Sequence, residues 1–144
     1  MPSTVLVDTG YFVALFREDD PYHSSAVEFM KNRVRQNHFR LVTAWPVITE
    51  ACFFFRAEDR AKFTRWIAAG AVVVKDISLH DLEAIASILA RYADIGIDFA
   101  DACLIWLASM EKNNRILTTN RRDFDAYRTA DGRPFERLWL AYGA

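Results

Sequence analysis

Few of the residues that build common metal and redox sites are present in this chain. Its 144 residues include only two cysteines and three histidines. Cys52 and Cys103 both lie in apolar stretches, with no CxxC or Cys/His spacing around them. We therefore expect buried, reduced thiols in a cytoplasmic protein rather than a disulfide or a metal site. Zinc is disfavoured because the histidines lie in unrelated polar stretches, at His23, His38 and His80.

Glycine and long apolar runs are scarce as well. The chain has five glycines, and they do not form the closely spaced pattern of a phosphate-binding loop. A GxSxG serine-hydrolase elbow is also missing from the sequence. No apolar run is long enough to span a membrane, and the first residues lack the basic region of a signal peptide. The net charge of -1 provides no overall attraction to polyanions, so any nucleic-acid contact requires a local basic patch.

The composition that remains, 52% hydrophobic and 26% charged, is that of an ordinary globular protein. No linker or repeat divides the chain, so we predict a single domain over residues 1–144. Short β-branched runs alternate with helical segments, and this pattern predicts an α/β fold with a parallel sheet. The predicted strands are 4–7, 41–43, 71–74 and 115–118, with a short edge strand near 137–140. In such sheets the working crevice lies outside the carboxyl ends of the strands.

Capping residues and prolines predict where the helices begin. A capping box over 25–28 predicts one helix start, and Asp59 predicts the cap of a later helix. Ser78 together with Asp81 predicts a further start. Pro46 fits the first turn of an apolar helix that runs to about residue 56.

A second apolar helix is predicted from Asp98 to about residue 108, and it opens with two acids. Asp98 and Asp101 lie three residues apart and therefore on one face of the first turn. Either carboxylate could cap the free amides there, where the positive end of the macrodipole also favours it. Acids in apolar surroundings otherwise require a partner such as a cation. The capping and the cation interpretations both stay open at this point.

Two further acids interrupt apolar segments. Asp8 directly follows the first predicted strand, where it is either a turn-forming helix cap or a ligand at the carboxyl end of the sheet. Glu50 is the only charge between Trp45 and Phe55, and a helix that apolar is predicted to be largely buried. A buried glutamate must be paired with an arginine, protonated or bound to a metal.

Asn120 follows the fourth predicted strand, at another carboxyl end. It is either a turn residue or a ligand through its side-chain oxygen, and Asp123 is a local cap or a partner of Arg121 or Arg122. Carboxylate and amide oxygens that converge without His or Cys describe a site for Mg²⁺ or Mn²⁺.

Together these segments resemble, nearly from end to end, the PIN-domain ribonucleases and especially the VapC-type toxins of bacterial toxin–antitoxin pairs. Residues 5–10, VLVDTG, resemble the family's opening strand and first acid, and Glu50 in VITE resembles its second acid. Asp101 with the apolar helix behind it resembles the third. Residues 116–124, ILTTNRRDF, resemble the segment that carries the fourth, more variable acid.

The resemblance implies a three-layer α/β/α fold with a central parallel sheet of about four or five strands. It also implies a metal-dependent endoribonuclease that uses Mg²⁺ or Mn²⁺, an RNA substrate, a small antitoxin that blocks the site, and a homodimer. The residues it assigns are Asp8, Glu50 and Asp101, as catalytic residues and metal ligands. To these we add Asp98 as a further ligand and Thr9 and Asn120 as supporting residues; either Asp98 or Asp123 could compensate for Asn120. Many members carry an aspartate where this chain has Asn120, so one negative charge is missing from the site.

Contacts with RNA must come from local charge and from stacking. Arg121 and Arg122, beside Asn120, are the best-placed phosphate contacts, or else solvated surface residues. Trp45 and Tyr11 are candidates for stacking on bases, although aromatic side chains at such positions also serve as core.

Two other functions compete with the nuclease. A haloacid-dehalogenase-like phosphatase also has an aspartate after its first strand, but it needs a second one two positions on, where this chain has Gly10. The more serious rival is a PIN-like protein that has lost catalysis and acts by binding RNA or a protein. Asn120 favours this rival, whereas the retained acids Asp8, Glu50 and Asp101 oppose it.

Overall fold

The computed structural model describes residues 3–140, which form a parallel sheet of five strands covered by helices. The strands are β1 (Thr4–Val7), β2 (Arg40–Ala44), β3 (Val73–Lys75), β4 (Arg115–Leu117) and β5 (Glu136–Arg137), in the spatial order β3-β2-β1-β4-β5. Val5, Leu6 and Val7 of the central strand are completely buried, as expected for a parallel strand covered on both faces. Parallel pairing brings the carboxyl ends of β1 and β4 to the same edge, because Val7 is in register with Leu117.

In the described part of the chain, seven α-helices connect and cover these strands. They are α1 (Thr9–Phe16), α2 (His23–Phe29), α3 (Trp45–Cys52), α4 (Ala57–Ala68), α5 (Leu82–Arg91), α6 (Phe99–Glu111) and α7 (Arg121–Ala126). A π-helical turn, Met30–Val34, extends α2, and 3-10 turns at Leu79–Asp81 and Ala93–Ile95 flank α5. The predicted α/β/α fold with a central parallel sheet is confirmed.

Helix α6 is the most deeply buried helix of the domain. Every residue from 100 to 108 is buried, and the helix packs against β1, β2, α3 and α5. This burial explains why its sequence is apolar on all faces. Asp98 is its N-cap, because the Asp98 Oδ1 accepts the backbone N–H of Asp101 at 2.8 Å. The capping interpretation of Asp98 is therefore confirmed.

Several helix and strand boundaries were predicted wrongly. Helix α2 begins at His23 without a side-chain cap, because Ser25 Oγ instead accepts the indole N–H of Trp139 at 2.9 Å. Helix α4 begins two residues before Asp59, and β3 spans Val73–Lys75 rather than 71–74. The capping box of Ser78 and Asp81 does form, at the 3-10 turn before α5.

The helix predicted over 46–56 is shorter and more exposed than its composition suggests. Helix α3 ends at Cys52, whose carbonyl accepts Arg60 Nε at 2.9 Å, and Arg17 Nη1 donates to the carbonyl of Phe54 at 3.1 Å. Such donors satisfy the free carbonyls at a helix end. The side chain of Phe53 is 79% exposed and that of Phe54 is 51% exposed. Within residues 3–140, no helix has the length and apolarity needed to cross a membrane.

Candidate active site

The carboxyl ends of β1 and β4 open onto a cavity of about 370 Å³ that is rich in acids. Its carboxylates come from separate segments of the chain and are Asp8, Asp20, Glu50, Asp98, Asp101 and Asp123. Among the described residues that line the cavity, none is Lys, Arg or His. The fold therefore brings together all four acids that were predicted as ligands and surrounds them with further negative charge.

Asp8 lies between the end of β1 and the start of α1, and it is only 5% exposed. Its Oδ1 accepts the backbone N–H of Thr9 at 2.8 Å, and its Oδ2 accepts the hydroxyl of Thr118 at 2.7 Å. Asp8 is thus both the N-cap of α1 and a member of the cavity, so its two interpretations are compatible. Burial raises the pKa of Asp8 to about 6, and the negative charges of Glu50 and Asp98 contribute, while the Thr118 hydroxyl opposes the shift.

Asp101 lies in the first turn of α6 and is 6% exposed. Its Oδ2 accepts the hydroxyl of Tyr127 at 3.0 Å, so its carboxylate does not cap the helix. Burial raises the pKa of Asp101 to about 8, and the charges of Asp8 and Asp98 add to the effect. Buried carboxylates whose pKa values are raised together are typical of functional sites.

The other two predicted ligands are more accessible. Glu50 is half-buried on α3, and no described Lys, Arg or His lies within salt-bridge distance of its carboxylate. The interpretation of Glu50 as a partner of an arginine is therefore wrong for residues 3–140. Asp98 is exposed at the start of α6, where one of its oxygens serves the cap.

Asn120 and Thr9, the predicted supporting residues, also line the cavity. Asn120 caps α7 through a 3.4 Å bond from the N–H of Asp123 to its Oδ1, and its Nδ2 donates to Asp123 Oδ2 at 3.0 Å. Both the turn role of Asn120 and the local role of Asp123 are as predicted. Thr9 Oγ1 is buried and finds no hydrogen-bond partner among the described residues. An unpaired buried hydroxyl beside the acids is a polar group that a ligand can satisfy.

Gly10 was not predicted to serve the site, but it permits a close approach between α1 and the loop after β4. A Cβ atom on Gly10 would lie 2.1 Å from Thr119 Oγ1 and 3.0 Å from Thr119 Cβ. Nonbonded atoms do not approach so closely, so a larger residue would displace the loop that carries Asn120. A glycine inside the first turn of a helix is unfavourable by itself, and this is the signal that could have indicated a packing role.

The predicted RNA-binding arginines lie at the rim rather than inside the cavity. Arg121 and Arg122 are exposed at the start of α7, and Arg122 Nε is 3.8 Å from Asp123 Oδ1. Tyr11 has no exposed surface and donates its hydroxyl to the carbonyl of Ala26, so its candidacy for base stacking is wrong. Trp45 is half-exposed, and its indole N–H donates to Asp76.

The donor chemistry of the cavity suits Mg²⁺ or Mn²⁺, which prefer oxygen ligands. The described side chains are nonetheless not arranged in a preformed metal-binding geometry. Among residues 3–140, no group of three or more His, Cys, Asp or Glu side chains is placed so that it could hold a metal ion as it stands. Mutual repulsion between like charges opposes such a cluster. The donors therefore fit a hard divalent cation in chemistry, and a cation would have to draw them together.

The sequence model of the PIN domain matches residues 5–130. This chain belongs to the PIN domain family. Ribonuclease VapC26 of Mycobacterium tuberculosis is 27% identical over 135 residues, which are 91% of this chain and 97% of that protein. All residues predicted for the site, from Asp8 to Arg122, fall within the family match.

Three solved structures share the fold. VapC20 of Mycobacterium tuberculosis, a sarcin–ricin loop cleaving toxin, has a TM-score of 0.76 at 18% identity, over 90% of this chain and 99% of that one. VapBC2 from Rickettsia felis, bound to a DNA fragment from its promoter, has a TM-score of 0.62 at 14% identity, over 94% and 98%. A toxin–antitoxin complex from Klebsiella pneumoniae has a TM-score of 0.60 at 17% identity, over 83% of this chain and 89% of that one. The resemblance to VapC-type PIN domains is confirmed.

Proposed function

We propose that this PIN-domain protein is a metal-dependent endoribonuclease and the toxin of a toxin–antitoxin pair. One observation carries the proposal: Asp8, Glu50, Asp98 and Asp101 line a single cavity that, among the described residues, includes no Lys, Arg or His. The similarity to a ribonuclease, VapC26, and the fold shared with a loop-cleaving toxin support the same activity.

In this proposal Asp8 and Asp101 are the principal ligands of Mg²⁺ or Mn²⁺. Glu50 binds the cation or orients the attacking water, and Asp98 acts in the outer part of the site with Asn120 and Thr9. When bound, a divalent cation supplies charge neutralisation and activation of water for phosphodiester hydrolysis. The water oxygen bonds to phosphorus while the bond to the 3′ oxygen breaks, which leaves a 5′-phosphate and a 3′-hydroxyl.

The proposed partners follow from the same assignment. RNA would approach over Arg121 and Arg122, the exposed cations beside the cavity, because the acidic lining itself repels phosphate. A small antitoxin would bind and block the toxin in the cytoplasm, and the toxin would form a homodimer. Toxin–antitoxin complexes among the proteins of similar fold support the antitoxin partner.

The test is cleavage of a pool of cellular RNAs by the purified, antitoxin-free protein, with Mg²⁺ or Mn²⁺ against EDTA. Asp8→Asn and Asp101→Asn remove ligand charge at nearly constant shape. The matched control is Asp94→Asn, which removes an exposed carboxylate that does not line the cavity. We expect metal-dependent cleavage by the wild type and the control, and none by the two cavity variants. Cleavage that persists in EDTA, or in both cavity variants, would contradict the proposal.

A binding protein without catalysis is the second candidate function. It is favoured by two observations. Among residues 3–140 no three acidic, His or Cys side chains are placed to hold a metal ion, and Asn120 stands in place of an acid. The same experiment separates the two functions when RNA retention is measured beside cleavage. Retention without cleavage by the folded wild type would establish the binding protein.

A further inference from the structure

A tyrosine outside the cavity holds one of its two buried acids. We propose that Tyr127 is a positioning residue for Asp101, which orients this carboxylate for a divalent cation. The inference rests on the proposed metal-dependent function and adds to it a residue that none of the patterns in the sequence indicated.

The contact between the two side chains is specific to one oxygen. The hydroxyl of Tyr127 donates to Asp101 Oδ2 at 3.0 Å, and the tyrosine has no exposed surface. Among the described residues, that hydroxyl makes no other hydrogen bond, and Asp101 Oδ1 makes none at all. Asp101 lines the cavity, so the hydroxyl fixes one oxygen and leaves the other free for a ligand.

Two neighbouring rings and a backbone hydrogen bond hold Tyr127 in place. Phe124 packs edge-on against it at 5.0 Å between ring centroids, and Tyr92 does so at 5.1 Å. The backbone N–H of Tyr127 ends α7 by bonding to the carbonyl of Asp123 at 3.0 Å. Asp123 belongs to the cavity wall, so a single short helix carries part of the wall at one end and the hydroxyl donor at the other.

A neutral donor suits this position better than a cation. An arginine or lysine on Asp101 would hold the carboxylate but would also cancel its charge and compete with a metal ion. A phenol hydroxyl orients the carboxyl group without adding a positive charge that would compete with a metal ion. Asp8 is held in the same way by the hydroxyl of Thr118, so residues 118–127 supply one neutral donor to each buried acid. Partners of metal ligands commonly act in this manner.

The decisive variant is Tyr127→Phe, which removes only the hydroxyl and keeps the packed ring. Its matched control is Tyr92→Phe, since Tyr92 lies against the same ring but its hydroxyl accepts the backbone N–H of Arg128 at 2.9 Å. Mn²⁺ affinity of the purified full chain is measured without RNA, from the electron paramagnetic resonance signal of free Mn²⁺. We expect Tyr127→Phe to weaken Mn²⁺ binding by about 10-fold or more, and Tyr92→Phe to change it by less than about twofold.

Cleavage kinetics provide a second readout. In Tyr127→Phe the Mn²⁺ concentration for half-maximal cleavage should rise by the same factor as the dissociation constant, while the KM for RNA stays unchanged. Thermal unfolding verifies that each variant is folded.

The outcomes separate this inference from the proposed function. Wild-type protein that binds no Mn²⁺ would overturn the metal-dependent function and the inference with it. Wild-type protein that binds Mn²⁺ no better than Tyr127→Phe would overturn the inference alone. An equal loss in Tyr92→Phe would assign the effect to packing and would also overturn it.

Discussion

The two ends of helix α6 hold acidic side chains in opposite ways. At the amino end, Asp101 is 6% exposed and shares a cavity with Asp8, and no described Lys, Arg or His lines that cavity. At the carboxyl end, the side chain of Glu111 is 14% exposed but lies 2.7 Å from Arg40 Nη1 and 3.6 Å from Lys75 Nζ. Both side chains are largely shielded from solvent, but only Glu111 is paired with cations.

The helix dipole does not account for this difference. It favours an acid at the amino end by only about 0.3–1 kcal/mol and disfavours one at the carboxyl end by a similar amount. The burial of Asp101 outweighs the dipole, since its pKa is raised to about 8. Glu111 overcomes the unfavourable dipole through its two cations. A compensated acid thus stabilises the fold, whereas the uncompensated pair of acids favours either protonation or the binding of a cation.

The largest effect is expected on RNA cleavage, when an acid at each end of α6 is replaced by its amide. Asp101→Asn should reduce RNA cleavage by about 10³-fold or more, the equivalent of losing several kcal/mol of metal-assisted stabilisation. Glu111→Gln should leave cleavage within about threefold of the wild type, because its partners lie away from the cavity. Initial rates on one RNA substrate measure both. A comparable loss in Glu111→Gln would show that the ends of α6 are not functionally distinct.

The second effect is the pH dependence of stability in EDTA. Asp8 and Asp101 have folded-state pKa values of about 6 and about 8, above the ordinary value of 3.8. For each acid, the folded protein therefore binds more protons than the unfolded chain from pH 3.8 up to the raised pKa. The stabilisation from protonation is complete below pH 3.8 and is lost as the pH rises through 6 and 8. The free energy of unfolding should therefore fall with rising pH, by at most about 1.4 kcal/mol per pH unit for each acid.

Urea unfolding at several pH values measures this slope, and Mg²⁺ should restore more stability at pH 8 than at pH 5. The double variant Asp8→Asn/Asp101→Asn is the control and should have a flatter profile. A wild-type profile as flat as that of the double variant would mean that the two acids are compensated after all.

The third effect concerns the close contact between Gly10 of α1 and Thr119, in the loop after β4 beside the acidic cavity. Gly10→Ala should lower the free energy of unfolding by about 1–3 kcal/mol, because its Cβ would overlap Thr119. It should also reduce cleavage, since the displaced loop carries Asn120. Adding Thr119→Ala removes the closest overlap and should recover part of the stability. Full stability of Gly10→Ala alone would show that the loop is not constrained there.

A smaller effect is expected at the compensated end. Glu111→Gln should lower the free energy of unfolding by about 1–2 kcal/mol, between the values for exposed and fully buried ion pairs, because Arg40 and Lys75 are more than a third exposed. At pH 8 in EDTA, Asp101→Asn should have the opposite sign and stabilise the protein. If both substitutions destabilise equally, the contrast between the two ends of α6 is wrong.

The smallest effect is at the rim of the cavity. Arg121→Gln and Arg122→Gln should each weaken RNA binding a few-fold. Each should also reduce the slope of log affinity against log salt concentration by about one, the value for one phosphate contact. Arg133→Gln is the control, as Arg133 is exposed and pairs with Asp131. Binding titrations at several salt concentrations measure these slopes. Identical slopes in all three variants would exclude the rim as the phosphate contact.

Much of the fold could be predicted because its signals are local. The strand 4–7, the cap at Asp98 and the capping box of Ser78 and Asp81 depend on neighbouring residues alone, and the structure contains all of them. Where local signals competed with tertiary contacts, the prediction was wrong. Ser25 caps no helix because the indole of Trp139, 114 positions away in the chain, binds its hydroxyl.

The acids of the site were equally visible in the sequence, because a charge within an apolar segment needs an explanation wherever it lies. Their supporting contacts were not. Thr118 and Tyr127 are ordinary residues in sequence, and they reach Asp8 and Asp101 across 110 and 26 positions of the chain. The order of parallel strands brings β1 beside β4 and so creates these contacts.

The sequence alone determined the alternating strands and helices and identified Asp8, Glu50 and Asp101 as acids that interrupt apolar segments, since periodicity is a local property. The tertiary structure decided which of the acids are compensated: Glu111 is paired with two cations, whereas the side chains of Asp8 and Asp101 accept hydrogen bonds from neutral donors only. Compensation depends on distances of a few ångströms between segments remote in sequence, because electrostatic interactions in a protein act through space and not along the chain.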